Sequence, residues 1–107
     1  DCVFVDDVVE GILAAAVASG VEGRTIDLGT GVATSVREVA ARLAAITGAT
    51  VEPRFEEGSA PPSNSDRVAD IAQAERWLQW RPKTSLQEGL AHTAQWYKAE
   101  LAQAASL

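Results

Sequence analysis

Cysteine, histidine and tyrosine each occur once in the 107 residues, and each scarcity removes a class of chemistry. Cys2 has no second cysteine with which to form a disulfide, and no set of thiolates for a zinc site. It points to a reducing, cytoplasmic setting. His92 has no Ser, Cys or second His at helical spacing. It reads as a surface or boundary residue rather than a general base. Tyr97 is followed directly by Lys98, so no Tyr-x-x-x-Lys is present. Cations are also in short supply. The net charge of −6 argues against a nucleic-acid partner, whose phosphates want clustered Lys and Arg. No apolar run approaches the roughly 20 residues of a membrane span. Nothing at the start reads as a secretory leader, no metal site is expected, and the sequence has no internal repeat.

What the sequence does have is one device used four times. Asp7-x-x-Glu10, Ser35-x-x-Glu38, Asp70-x-x-Gln73 and Ser85-x-x-Glu88 all carry capping-box spacing. Behind each box, apolar residues fall at helical intervals. The stripes are Val9, Ile12, Leu13 and Ala16; Val36, Val39, Ala40, Leu43 and Ile46; Ile71, Ala74 and Leu78; and Leu86, Leu90, Tyr97 and Leu101. Gly20 and Gly48 stand where helix C-caps belong. Trp77 and Trp80 flank the end of the third helix and are expected to close the core. Short strands are expected at Val3–Val5, Arg24–Leu28 and Thr50–Arg54, the first stopped by Asp6-Asp7. Asp6 and Asp7 resemble a paired acid site, but capping accounts for Asp7. The fold class is therefore α/β, four helices with a few short, mainly parallel strands. Residues 1–107 read as a single portion, with a Gly/Pro/Ser-rich loop at 56–66 and a fraying alanine-rich tail at 102–107.

One stretch invites a cofactor. In TIDLGTGVATS, residues 25–35, a strand pattern runs into Gly29-Thr30-Gly31 and then a helix signal. A dinucleotide fingerprint needs G-x-G-x-x-G and an acid about 20 residues on, for which Glu52 stands near the right distance. The third glycine, however, is Thr34, and the capping box starts the helix at Ser35. A fingerprint helix begins beside the second glycine, so that its amides face the pyrophosphate. No Gly-Lys-Ser/Thr follows, so the stretch is no Walker loop either. It reads as a turn that ends a strand and launches a helix, and this chain alone is expected to bind neither NAD nor NADP.

The order of segments carries a resemblance. Val-Asp-Asp-Val at 5–8, Asp-Leu-Gly-Thr-Gly at 27–31, Ala-Asp-Ile at 69–71 and the Trp-x-Pro-x-x-Ser-Leu-x-x-Gly-Leu run at 80–90 follow one another in register. From residue 1 to about 101 the sequence resembles the C-terminal part of extended short-chain dehydrogenase/reductases, the NAD-dependent nucleotide-sugar epimerases and dehydratases. The resemblance implies a parent enzyme using NAD or NADP, in which a nucleotide-activated sugar is epimerised, dehydrated or reduced. It places the cofactor loop and the Tyr-x-x-x-Lys set in an N-terminal Rossmann part that this chain does not contain. Asp1 would follow directly on an arginine of the family motif that contacts the nucleotide. The chain itself would carry no catalytic or cofactor-binding residue and would be inactive alone.

The family usually reads Arg-Pro-Gly-Asp-x-x-x-x-x-Ala-Asp before the third helix. Here Ala60 and Ser63 stand where that Arg and Asp would. Ser63 is kept as a substrate-binding position, Arg54 is a replacement for the lost charge, and Arg67 falls where the family points a residue at the sugar. The expected partners are the nucleotide sugar, the Rossmann portion and a second copy of the chain. Two other readings stand beside this one: a stand-alone small α/β binding or interaction module without catalysis, and a nucleotide held by the glycine loop after all.

Overall fold

The computed structural model describes residues 1–56 and 67–106. Ser63, Ala60 and most of the expected 56–66 loop lie outside the described residues, as does Leu107. Four helices are present: α1 Val5–Val17, α2 Val36–Thr47, α3 Ala72–Leu78 and α4 Leu86–Ala105. Among the described residues there is no strand, which corrects the α/β expectation. A strand exists through its ladder with a neighbour, and β-prone residues supply only one side of it. Residues 24–28 are irregular and without a partner strand, residues 50–54 are irregular, and Val5 already belongs to α1.

The chain divides into two compact units, residues 1–34 with 67–86 and residues 35–56 with 87–106. The first holds the core. Ala74, Leu78 and Trp80 are buried, and Val3, Ala14, Ala18, Val21, Ile26, Leu28 and Ile71 pack against them. The α3 stripe therefore points inward as expected, and Trp80 closes the core at 4% exposure. Trp77 is half-buried, with the Arg24 guanidinium 4.2 Å above its ring. Gln79 closes α3 in the left-handed conformation at φ 50°, where glycine is the usual choice.

Helix α1 departs from its sequence pattern three times. It begins at Val5, with Phe4 at the N-cap, so Asp7 caps nothing. Instead Asp7 is 3% exposed, and its Oδ2 accepts the backbone N–H groups of Lys83 at 3.1 Å and Thr84 at 2.9 Å. Its carbonyl accepts the Trp80 indole N–H at 2.8 Å. The inward face of the helix is Asp7, Gly11, Ala14 and Ala18, and the larger Val9, Ile12 and Leu13 lie outside. Gly11 explains the choice. A Cβ there would stand 2.6 Å from Leu28 Cδ1, so the small residues let α1 approach closely. Nor does Gly20 cap the helix: α1 ends at Val17 with Ala18 as its C-cap, and Gly20 follows with φ +80°.

The second unit follows local rules. Ser35 Oγ accepts from the Glu38 N–H at 3.1 Å, as its capping box predicts. Gly48, at φ 67°, closes α2 as expected, its N–H reaching the Ala44 and Ala45 carbonyls. Arg42 pairs with Glu38 at 3.0 Å one turn away and donates to Gln87 Oε1 at 3.3 Å. Arg37 lies 4.2 Å over the Phe55 ring. Helix α4 follows Ser85 and continues through Ala105, into the stretch expected to fray. Tyr97 and Leu101, expected in its core stripe, are exposed.

Candidate functional site

The Gly29-Thr30-Gly31 loop is an anion receptor whose anion comes from the chain itself. Asp1 Oδ1 accepts from the Thr30 backbone N–H at 2.9 Å and from the Thr30 hydroxyl at 2.7 Å. Asp1 Oδ2 accepts from the Gly31 N–H at 2.9 Å and the Ala69 N–H at 3.2 Å. Four donors thus converge on one carboxylate. Successive amides in a turn with one left-handed residue form such a concavity, and Gly31 supplies it with φ +75°. Close approach explains Gly29: a Cβ there would meet Ala69 Cβ at 2.6 Å and Asp1 Oδ2 at 2.7 Å. The loop that looked ready for a phosphate spends its amides on Asp1.

Asp1 also holds the segment that leads to α3. Its backbone nitrogen donates to the Arg67 carbonyl at 3.1 Å. Residues Asp1, Val3, Asp27, Leu28, Arg67, Val68 and Ala69 line an open depression on this unit. Asp70 Oδ1 accepts the Ala72 N–H at 3.1 Å and so caps α3 one residue ahead of its formal N-cap, Ile71.

Of the sequence-predicted substrate residues, Arg67 is exposed in the first unit, on this depression. Arg54 is exposed in the second unit, beside Phe55. The two arginines therefore belong to different units, and Ser63 is outside the described residues. Among the described residues neither arginine forms an ion pair. His92 is exposed on α4. Among the described residues no three metal-ligating side chains gather, and no helix is long and apolar enough to cross a membrane. Sequence reasoning missed Asp1. Its signal was available: two closely spaced glycines ask for an anion, and an aspartate can be that anion.

The chain is 38% identical over 101 residues to the UDP-glucose 4-epimerase of Mycolicibacterium smegmatis, covering 92% of this chain and 31% of the relative. Among solved structures it superposes on the UDP-glucose 4-epimerase of Thermotoga maritima, solved with UDP-glucose, with a TM-score of 0.79 and 34% identity. That match covers 92% of this chain and 31% of the other. The chain belongs, as one part, to the NAD-dependent nucleotide-sugar epimerases, the extended short-chain dehydrogenase/reductases. A UDP-glucuronic acid 4-epimerase from Bacillus cereus, solved with a UDP-sugar and NAD, aligns over 91% of this chain and 31% of its own, at 28% identity and a TM-score of 0.81. No family model matches the chain. It thus spans about a third of the length of these epimerases.

Proposed function

We propose that this chain is the C-terminal, substrate-binding portion of an NAD(P)-dependent enzyme that epimerises a UDP-activated sugar. The carrying observation is the 38% identity to a UDP-glucose 4-epimerase across 92% of the chain. Dehydration or reduction of the same substrate class would use the same part. A nicotinamide held by the rest of the parent would supply hydride-transfer chemistry at the sugar ring. The residues of this chain do not fit that cofactor, because the Thr30 and Gly31 amides are engaged by Asp1 and α2 begins only at Val36. This chain's task is to bind and orient. Arg67, exposed at the depression, and separately Arg54 are each a candidate for the diphosphate, where a guanidinium can fork two charge-assisted bonds.

The exposed face of α1 supports the same reading. Val5, Val9, Ile12, Leu13 and Val17 run along the helix, and Val17 is 84% exposed. A stand-alone module would bury such a stripe. On this reading it packs, together with the unpaired 24–28 segment, against the Rossmann portion of the parent. The 107-residue chain by itself is expected to associate at low micromolar concentration; sedimentation as one stable monomer with a cooperative melt would count against this.

The deciding experiment is steady-state kinetics of the full-length protein carrying this chain, with UDP-glucose and UDP-galactose as substrates. Arg54→Ala or Arg67→Ala at a working contact should cost about 1.5–3 kcal/mol, roughly ten- to hundredfold in kcat/KM. Both variants within about twofold of the parent would make the arginines surface charges. No turnover of any UDP-sugar by the parent would overturn the reading itself.

A further inference from the structure

We propose that Asp1 is a positioning residue that sets Arg67 for its anionic ligand, an inference that rests on the nucleotide-sugar reading above for the identity of that ligand. Asp1 reaches the 67–69 segment twice, through its own nitrogen to the Arg67 carbonyl and through Oδ2 to the Ala69 N–H. The same carboxylate is anchored to Thr30 and Gly31 by three further bonds. The Arg67 backbone is thereby pinned to the 29–31 loop, and the core fixes that region in turn through Ile71, whose side chain lies 3.6 Å from the position of a Gly31 Cβ. An arginine on a loose segment would lose conformational entropy on binding, and a pinned one has already lost part of it. Only a short carboxylate serves. Asparagine would turn an NH2 group toward amides that need an acceptor, and glutamate is one methylene too long for a cradle this close.

The first test needs no catalytic activity. Trypsin cuts after arginine, and this chain offers Arg67–Val68 beside the cradle and Arg54–Phe55 in the other unit as an internal control. In the full-length protein carrying Asp1→Asn, cleavage at Arg67 should quicken about three- to tenfold, while cleavage at Arg54 stays unchanged. In the full-length protein carrying Asp1→Gly, formate should slow the Arg67 cut again by filling the vacated cradle. Equal acceleration at both sites would mean general unfolding and would overturn the proposal, as would no change at either. The second test is kinetic, on the full-length protein. Asp1→Asn should raise KM for the UDP-sugar about five- to tenfold with kcat within about twofold, and this effect should vanish in an Arg67→Ala background. Additive effects, or a kcat that falls while KM holds, would overturn it. A parent with no turnover of UDP-sugars removes the functional reading and the ligand with it, while the proteolysis still judges the pinning of Arg67.

Discussion

In the first unit, Asp1 and Asp7 accept hydrogen bonds from Thr30, Gly31, Ala69, Lys83 and Thr84, partners 29 to 77 residues away. In the second, Ser35 reaches Glu38 and Arg42 reaches Glu38, three and four residues away, while the Arg42–Gln87 bond and the Arg37–Phe55 contact reach farther. The first unit also buries Ala74, Leu78 and Trp80, whereas α2 buries no residue and α4 only Gly89 and Ala94. One unit is therefore built by carboxylates that stitch distant segments around a core. The other is built by helix caps and single-turn pairs. A buried acceptor whose donors lie far off is costly to remove, because it leaves desolvated amides behind. A cap on an exposed helix is replaced in part by water.

That contrast sets the order of expected effects. Asp7→Ala should be the most damaging single change, costing about 2–4 kcal/mol, because it strands the Lys83 and Thr84 amides. Chemical denaturation followed by tryptophan fluorescence measures it, and a loss under 1 kcal/mol would show that water replaces the carboxylate. Gly29→Ala comes next. The added Cβ must push Ala69 or Asp1 aside, and the expected loss is about 1–3 kcal/mol in the same unfolding experiment. A neutral result would mean that the loop relaxes without strain. Ser35→Ala should cost about 1 kcal/mol and act on α2 alone. Amide exchange should rise in its first turn and stay unchanged around Trp80; protection lost in both places would break the division between local and long-range construction. Gln79→Gly is the smallest effect and the only gain. Relieving a left-handed non-glycine should raise stability by about 0.5–1 kcal/mol, seen as an upward shift in the melt. A loss there would mean that the glutamine side chain contributes more than its backbone costs.

The same contrast explains what could be read in advance. The capping box at Ser35, the C-cap at Gly48 and the inward stripe of α3 each depend on residues within one or two turns, so they were legible. Asp7 misled because its spacing to Glu10 imitates a cap, while its partners stand at Lys83 and Thr84. The glycine loop was read as a turn without a cofactor, and its partner was missed for a related reason. Its geometry does suit an anion, but periodicity and spacing cannot say that the anion is Asp1, 29 residues earlier. Of the residues around the depression, Arg67 was named in advance as a candidate, and Asp1, which donates to the Arg67 carbonyl and accepts from Ala69, was not.

By itself the sequence determined four helices, two of their caps, the burial of Trp80 and membership in the nucleotide-sugar epimerase family. Those features follow from short-range chemistry or from ordered motifs. The tertiary structure alone decided that α1 turns Asp7, Gly11, Ala14 and Ala18 inward and leaves Ile12 and Leu13 outside. It alone decided that β-prone residues 24–28 pair with no strand among the described residues, and that Asp1 fills the loop. A hydrophobic stripe records that a helix face wants a partner, and a β-prone run records that a backbone wants a ladder. Neither records where the partner is, because that depends on how closely distant backbones can approach.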